Sequence, residues 1–376
     1  MREHVLIAGG SGLVGEAALR LFRQRGDCDV TVLSRRPPPG AEGLRVVSAD
    51  LTQPEPVRAA LAGVTGVTRL VYAALHEEPE LVRGWRAEAQ IDTNDRMFRN
   101  LMAGLRPRSG DLRHVTLLQG TKAYGAHVRR MPIPAREGRD ELRAEPNFYW
   151  RQEDHLRELA DGAAWTWTIL RPQVIFGGAL GAAMNVIPAI GVYAALLREQ
   201  GRPLDYPGGP GAIMEAVDAD LLAEAIAWAG DTASAAGQVF NVTNGDVFTW
   251  PGVWPAIADA LGMTPGEPRP VSLAETLPGR AAEWDAVRAK YGLAAPGLPA
   301  FVGAGLQYAD FVMAYGFPAG RPLPINLVST VRIRQAGFAA AMDTEAMFRK
   351  WFAAFQARGL LPPLRRLAGL PGERLL

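Results

Sequence analysis

Short apolar runs alternate with amphipathic stretches through the first half of the chain. This alternation is typical of βαβ units and predicts a parallel sheet. The predicted strands are His4–Ala8, Val30–Leu33, Arg45–Ser48, Arg69–Ala73, His114–Leu118 and Thr166–Arg171. The predicted helices between them are Glu16–Gln24, Pro56–Leu61, Ile91–Leu105 and Trp150–Leu159. Together they predict a doubly wound α/β fold, in which a ligand binds at the carboxyl ends of the parallel strands.

The pattern changes after about residue 178. A Gly/Ala-rich apolar segment is followed by the Pro/Gly stretch Arg202–Pro210, a predicted helix at Asp218–Ala229 and a short predicted strand at Gln238–Asn241. The rest of the chain is predominantly helical in pattern and rich in Trp, Phe and Pro. We therefore expect a main domain at 1–178, completed by about 210–250, and a smaller, mostly helical part at 179–209 and 251–376.

One apolar segment is long enough to span a bilayer. No charged residue occurs from Gln173 to Leu197, and about 20 apolar residues cross a membrane as a helix. Several glycines interrupt the segment, as do Asn185 and Pro188, so we interpret it as a strand end, a loop and a buried helix. The apolar run Val5–Ala8 leaves no room for a signal peptide before it. We expect a cytoplasmic protein without a membrane partner.

Composition narrows the function classes. The 376 residues are 48% hydrophobic and 21% charged, which is typical of a globular protein. Nucleic acids bind mainly to basic proteins, so the net charge of +1 argues against a nucleic-acid partner. The lone Cys28 excludes a disulfide framework, and the five histidines lack metal-ligand spacing, so we expect no metal. Only three of the 40 basic residues are lysines, namely Lys122, Lys290 and Lys350.

A glycine-rich turn follows the first predicted strand. Gly9, Gly12 and Gly15 have GxxGxxG spacing between that strand and the next helix. Glycines at these positions let the backbone approach a pyrophosphate, which the helix N-terminus then attracts. We therefore predict that a dinucleotide binds here. The predicted contacts are Gly9, Ser11, Gly12, Leu13, Val14 and Gly15.

Two arginines follow the second predicted strand, in Ser34-Arg35-Arg36. NAD-binding proteins usually have Asp or Glu here for the ribose 2′-hydroxyl, whereas guanidinium groups suit a 2′-phosphate. The pattern therefore favours NADP(H) over NAD, the alternative being that these arginines are simply solvated. Asp50 and Leu51, after the third strand, are predicted to contact adenine or else to lie in a surface loop.

The candidate catalytic residues are a tyrosine and a distant lysine. Short-chain dehydrogenases place a lysine four residues after their catalytic tyrosine, but Glu153 stands four residues after Tyr149. Lys122 follows the predicted strand His114–Leu118, at the sheet edge where these enzymes place catalytic groups. An ammonium there can stabilise a developing oxyanion. The alternatives are that Lys122 is a surface lysine and that Tyr124 supplies the phenol.

Several segments resemble one family over nearly the whole chain. They include Gln119-Gly120-Thr121-Lys122-Ala123-Tyr124, Asn147-Phe148-Tyr149-Trp150-Arg151-Gln152-Glu153-Asp154, Arg171-Pro172-Gln173-Val174-Ile175-Phe176-Gly177 and Phe240-Asn241-Val242-Thr243-Asn244-Gly245-Asp246. These segments are similar to those of the progesterone 5β-reductase/iridoid synthase-like group of atypical extended short-chain dehydrogenases/reductases.

The resemblance implies a Rossmann fold and NADPH-dependent reduction of the C=C bond of an α,β-unsaturated carbonyl compound. On this model Tyr149 and Lys122 are the catalytic pair, and 1–178 is the NADP-binding domain. The smaller part would bind a small-molecule substrate. The further cofactor contacts implied are Ala73, Gln119, Gly120, Tyr149, Pro172 and Val174.

Two departures from the family pattern concern the substrate pocket. Ala123 stands where the family usually has histidine, and Trp150 replaces its second tyrosine. We expect the pocket lining to include Trp150, Tyr193, Trp284 and Phe311; each of them has plain core packing as its alternative. Two other functions stay open, namely an NADPH-dependent carbonyl reductase or epimerase-like enzyme and a non-catalytic NADP(H) sensor. A homodimer is equally open.

Overall fold

A computed structural model describes residues 2–318, 320–321 and 323–364. The end of the segment predicted at 251–376, from residue 365 onward, lies outside the described residues. The strands are β1 Glu3–Ala8, β2 Cys28–Leu33, β3 Arg45–Val47, β4 Arg69–Tyr72, β5 His114–Leu118, β6 Thr166–Pro172, β7 Val174–Phe176, β8 Leu204–Tyr206, β9 Ala216–Asp218, β10 Gln238–Val242 and β11 Pro265–Pro268.

Helices occupy most of the remaining described chain. They are α1 Leu13–Arg25, α2 Pro54–Leu61, α3 Leu81–Gly84, α4 Glu88–Leu105, α5 Phe148–Ala160, α6 Ile187–Glu199, α7 Ala219–Asp231, α8 Trp250–Ala260, α9 Leu273–Thr276, α10 Ala281–Tyr291, α11 Leu298–Val302, α12 Gly305–Val312, α13 Val331–Gln335 and α14 Thr344–Ala357. Short 3-10 turns lie at Arg106–Asp111, Thr121–Tyr124, Ala233–Ala235 and Pro278–Arg280.

Seven strands of the described chain form one parallel sheet in the order β10-β6-β5-β4-β1-β2-β3. The doubly wound α/β fold predicted from the sequence is thus confirmed, and the strand predicted at Gln238–Asn241 joins the sheet as β10. The chain reverses its direction of winding between β1 and β4, where Ala8 is in register with Tyr72 on one side and Leu33 on the other. That reversal opens a crevice at the carboxyl ends of the strands.

Helices cover both faces of this sheet. α1 and α7 pack together on one face, whereas α4 packs with α2 and α5 on the other. Each face has its own cluster of buried apolar side chains. A third and larger cluster lies in the C-terminal part and joins α6, α8 and α14 with α10 and α12. The crevice therefore lies between the sheet edge and this third cluster.

The long uncharged segment becomes β7, a loop and α6. Every residue of α6 from Ile187 to Leu197 is buried, and its apolar side chains belong to the third cluster. Burial on all sides explains why this helix is apolar around its whole circumference. None of the helices in the described part of the chain combines the length and the apolar composition of a membrane span.

Candidate active site

The glycine turn connects β1 to α1 at the centre of the sheet. Gly9 has a positive φ of 89°, and a Cβ at this position would lie 2.6 Å from the Ala74 backbone nitrogen. A Cβ at Gly15 would collide with the Gly9 carbonyl, so this third glycine lets α1 start directly above the turn. The N-terminus of α1 consequently points into the crevice, where its positive dipole can attract a pyrophosphate.

A single cavity of about 1630 Å³ runs from this turn across the sheet edge to the C-terminal part. Ordinary small-molecule sites measure about 300–1,000 Å³, so this cavity has room for a dinucleotide together with a second molecule. All but one of the predicted cofactor-binding residues line it. Those lining residues are Gly9, Ser11, Gly12, Leu13, Val14, Ser34, Arg35, Arg36, Asp50, Leu51, Ala73, Gln119, Gly120, Tyr149, Pro172 and Val174. Gly15 lies beneath the turn.

The two predicted phosphate-binding arginines are exposed at the cavity edge. Neither Arg35 nor Arg36 forms an ion pair with a described side chain, so both guanidinium groups have their donors available. Asp50 lies on the same side, where its Oδ1 accepts hydrogen bonds from the Thr52 amide (2.9 Å) and hydroxyl (2.8 Å). The hydrogen bond from the Thr52 amide makes the largest contribution to lowering the pKa of the Asp50 carboxyl. This end of the cavity fits an adenosine with a 2′-phosphate.

Tyr149 is positioned by the first turn of α5. The Asn147 side chain caps this helix by accepting a hydrogen bond from the Tyr149 amide at 3.1 Å. The phenol crosses directly over Gly120, where a Cβ would lie 3.1 Å from the Tyr149 hydroxyl oxygen. Burial, and secondarily the negative charge of Glu77, raises the pKa of the Tyr149 phenol. The hydroxyl therefore stays protonated at neutral pH and acts as a hydrogen-bond donor.

Glu153 belongs to a buried ion network. Its carboxylate accepts from Arg143 at 2.6 Å, Arg157 at 2.9 Å and Gln119 at 3.0 Å, and Arg171 lies 3.4 Å away. The Arg171 side chain is also buried. Glu153 stands where ordinary short-chain dehydrogenases have lysine. It links α5 to Arg171 of β6 and to Gln119, the residue after β5.

Lys122 is largely buried in the cavity wall. Its side chain is 13% exposed, and its ammonium lies 3.8 Å from Glu77 Oε1 and 4.4 Å from the centre of the Trp85 ring. Burial lowers the pKa of Lys122 and raises that of Glu77, and each charge opposes the shift of the other. Both Lys122 and Tyr149 line the cavity, although no hydrogen bond joins these two described side chains.

Only one of the predicted substrate-binding aromatic residues lines the described cavity. Phe311 lines the cavity and is 48% exposed. Trp150 does not line it, because its indole donates to the Leu142 carbonyl beneath α5. Tyr193 and Trp284 are core residues of the third cluster. Tyr124, the alternative phenol, is also buried and donates to the Asn241 side chain at 2.6 Å, so it is not available to a ligand.

Several cavity residues have no signal in the sequence. They are Glu77, Trp85, His127, Glu215, Tyr308 and Asn326. Both ring nitrogens of His127 are buried without a hydrogen-bond partner. Burial, followed by the charges of Lys122 and Arg86, lowers the pKa of His127 to about 4, so the imidazole is neutral at pH 7. Glu77 follows β4 by five residues, and only its pairing with Lys122 distinguishes it from a loop carboxylate.

Comparison with known proteins gives one consistent result. A family model for the PRISE-like Rossmann-fold domain matches residues 57–355. A 3-oxo-Δ4,5-steroid 5β-reductase of Arabidopsis thaliana is 31% identical over 300 residues, covering 74% of this chain and 75% of that protein. An (S)-8-oxocitronellyl enol synthase of Camptotheca acuminata is 29% identical over 386 residues, covering 95% and 93%.

Solved structures share the fold at lower sequence identity. The UDP-glucose 4-epimerase of Thermus thermophilus, solved in complex with NAD, has a TM-score of 0.59 at 18% identity, covering 94% of this chain and 99% of that one. The UDP-glucose 4-epimerase of Thermotoga maritima, solved with UDP-glucose, has a TM-score of 0.63 at 14% identity with the same coverage. These likenesses concern the fold alone.

Proposed function

The chain belongs to the PRISE-like Rossmann-fold family and is an NADP(H)-dependent reductase of that family, and we propose that it reduces the C=C bond of an α,β-unsaturated carbonyl compound. The family resemblance inferred from the sequence is thereby confirmed. When bound, NADPH supplies a hydride to the β-carbon of the enone. The following steps concern what the residues of this chain do during that transfer.

The residues at the glycine turn hold the cofactor. The α1 N-terminus receives the pyrophosphate, and Arg35 with Arg36 receives the 2′-phosphate. A Cβ at Gly120 would lie 3.1 Å from the Tyr149 hydroxyl oxygen and 3.5 Å from the Pro172 carbonyl oxygen, so both oxygens lie close to Gly120. We assign the nicotinamide to the carboxyl ends of β5 and β6, where Gly120 and Pro172 lie. A substrate carbonyl that approaches the phenol is then held near the nicotinamide.

Tyr149 donates its hydroxyl proton in a hydrogen bond to the substrate carbonyl oxygen. Negative charge grows on this oxygen as an enolate forms, so the bond is stronger in the transition state than in the ground state. A phenol with a raised pKa keeps its proton, which suits donation without transfer. The proton that completes the reaction is delivered to the α-carbon from solvent.

Lys122 adds positive charge on the same side of the cavity. Its pairing with Glu77 makes the resting site neutral, so the buried ammonium does not stand alone before the enolate forms. Trp85 packs against the ammonium and restricts where it lies.

One observation carries the proposal over ordinary carbonyl reduction. The residue four positions after Tyr149 is a carboxylate bound by arginines, and the lysine that lines the cavity comes instead from the segment after β5. The arrangement lacks the adjacent lysine that lowers a tyrosine pKa for proton transfer to a carbonyl oxygen. An enolate needs only hydrogen bonds at oxygen, because its proton goes to carbon.

The test is NADPH consumption with steroid enones, cyclic enones, enals and simple ketones, followed by identification of the products. A saturated ketone supports the proposal, whereas an allylic alcohol favours the carbonyl reductase. Cofactor binding without turnover on any compound favours the sensor. Tyr149→Phe should lower turnover roughly 100- to 1,000-fold with little change in NADPH affinity. Tyr291→Phe, which removes a hydroxyl bonded to Glu199 outside the cavity, is the matched control.

We extend the proposal to the organisation of the chain. Residues 1–178, completed by about 210–250, bind the cofactor, and 179–209 with 251–364 complete the substrate side of the cavity. Phe311 on this side supports the assignment. The proposed partner is a small molecule, the proposed location is the cytoplasm, and both a monomer and a homodimer are compatible with the site.

A further inference from the structure

Two buried tyrosines of the described chain present an unpaired hydroxyl to the cavity. The buried tyrosines are Tyr72, Tyr124, Tyr149, Tyr193, Tyr206 and Tyr308. In two of them the hydroxyl donates to a protein acceptor, in Tyr72 it is sealed from solvent, and Tyr193 does not line the cavity. Tyr149 and Tyr308 are left. Each is 7% exposed and lines the cavity, and neither hydroxyl forms a hydrogen bond with a described group.

Tyr308 reaches the cavity from the C-terminal part. It lies in α12, which packs against α6 and α9. Phe311, three residues later, shares its face of the helix, and the two rings stack with their centroids 6.3 Å apart. Phe311 in turn packs edge-to-face with Trp85 at 5.4 Å, and Trp85 lies 4.4 Å from the Lys122 ammonium. A continuous row of ring contacts thus leads from Tyr308 to Lys122.

Glu77 acts on both phenols. Burial first, and then the negative charge of Glu77, raises the pKa of Tyr308 and that of Tyr149. Tyr308 makes a smaller contribution to the raised pKa of Tyr149. Because electrostatic effects weaken with distance, the two phenols and the carboxylate lie around one part of the cavity. Both hydroxyls keep their protons at neutral pH, so each is available as a donor.

The unpaired hydroxyl of Tyr308 indicates an acceptor on a ligand. A buried tyrosine usually hydrogen-bonds through its hydroxyl, since an unpaired buried polar group is unfavourable. The ring contacts of Tyr308 need no hydroxyl, because phenylalanine would stack on Phe311 in the same way. α12 belongs to the part of the chain that we assign to the substrate, and the one oxygen that the proposed reaction requires is that of the substrate carbonyl.

We propose that the Tyr308 hydroxyl is a second hydrogen-bond donor to the carbonyl oxygen of the substrate, which it holds together with Tyr149. A carbonyl oxygen has two lone pairs and can accept from both phenols at once. Both bonds strengthen as negative charge develops on the oxygen, and neither phenol gives up its proton. This inference rests on the proposed function for the identity of the oxygen, and it adds a catalytic residue from the C-terminal part.

The test is Tyr308→Phe, which removes the hydroxyl and keeps the ring. Because that hydroxyl bonds no described group, the free energy of unfolding should stay unchanged in urea denaturation. kcat/KM for the enone that wild type reduces best is measured for wild type, for this variant and for Tyr291→Phe. Tyr291 is the matched control, since its hydroxyl bonds Glu199 outside the cavity.

A binding measurement that needs no turnover accompanies the kinetics. Pentafluorophenolate carries a planar anionic oxygen like that of an enolate, and pentafluorobenzene lacks only this oxygen. The affinity of each compound is measured at pH 8 by fluorine NMR with NADP⁺ present, and NADPH affinity is measured by fluorescence titration.

We expect Tyr308→Phe to lower kcat/KM roughly 10- to 100-fold and to weaken pentafluorophenolate binding roughly 10-fold. Pentafluorobenzene and NADPH should bind as they do to wild type, and the control should match wild type throughout. Unchanged kcat/KM with reduction intact, or unchanged affinity for pentafluorophenolate, overturns the proposal.

Three other results also count against Tyr308 as an oxygen donor. Equal weakening of the two fluorinated ligands would mean that Tyr308 only shapes the pocket, and weaker NADPH binding would mean that it contacts the cofactor. Wild type that does not prefer pentafluorophenolate to pentafluorobenzene has no site for the anionic oxygen. If no carbonyl compound is reduced, the proposed function fails, and the effect of Tyr308→Phe on pentafluorophenolate binding still decides whether Tyr308 donates to an oxygen.

Discussion

Replacing Lys122 with methionine begins a test of whether Lys122 takes part in catalysis or only neutralises Glu77. Methionine is unbranched and only one atom shorter than lysine, but the substitution leaves the Glu77 carboxylate, with 9% exposure, without its cation at 3.8 Å. Coulomb's law at this distance gives about 4 kcal/mol with an effective dielectric constant of about 20. Removal of one partner of a buried pair costs about 3–5 kcal/mol. We therefore expect Lys122→Met to lower the free energy of unfolding by this amount at pH 8.

The loss should depend on pH in a defined direction. Burial already raises the pKa of Glu77, and loss of Lys122 raises it further. As pH falls, Glu77 takes up a proton and the uncompensated charge disappears. The difference in unfolding free energy between wild type and Lys122→Met should therefore shrink at pH 5, as measured by urea denaturation.

A double variant then tests catalysis. Lys122→Met with Glu77→Gln has two neutral side chains, and the new amide at position 77 can keep a bond with Gln90, which donates to Glu77 at 2.7 Å in the wild type. Stability should return close to that of wild type, whereas turnover should stay roughly 100-fold low because the enolate still lacks its cation. Recovery of turnover together with stability would refute a catalytic role, since Lys122 would then serve only to neutralise Glu77.

Three further changes follow from the site geometry. Arg35→Ala should weaken NADPH binding roughly 10-fold and leave NADH binding unchanged in fluorescence titrations, and equal weakening of both would contradict the 2′-phosphate assignment. Gly120→Ala places a methyl group 3.1 Å from the Tyr149 hydroxyl and should lower kcat roughly 10-fold; full activity would show that the phenol need not lie there. Glu215→Gln removes a carboxyl whose folded-state pKa of about 7 exceeds its ordinary value of 4.5. A raised acid pKa contributes stability that is lost as pH rises toward 7. At pH 8 the free energy of unfolding of this variant, measured by urea denaturation, should therefore exceed that of wild type by up to about 3 kcal/mol. At pH 4.5 the two free energies should differ little.

The sheet was predictable because each of its central strands is buried on both faces. His4–Ala8 and His114–Leu118 are largely apolar runs, and the structure places strands there within a residue or two. Strands β7 and β9 were missed, because each is three residues long and pairs only with the other. Such strands depend on tertiary contacts, which leave no periodic pattern in the sequence.

The candidate site was predictable where function depends on local backbone geometry. The turn from Gly9 to Gly15 is recognisable because only glycines permit its close approaches. Trp150 and Tyr193 show the limit, since an aromatic residue that lines a pocket has the same local sequence as one that packs in the core. Glu215 and Asn326 are 111 residues apart in sequence, and only the fold brings both of them to the cavity.

The ion network around Glu153 also constrains how this protein could evolve. A single Glu153→Lys change would create the tyrosine–lysine spacing of ordinary short-chain dehydrogenases, but it would place a fourth cation among Arg143, Arg157 and Arg171. Such an intermediate would lose the ion pair that links α5 to β6 and gain like-charge repulsion in a buried site. Conversion to the ordinary arrangement therefore requires several coordinated substitutions. The arginines around Glu153 thus disfavour lysine at position 153, and the lysine that lines the cavity is Lys122, after β5.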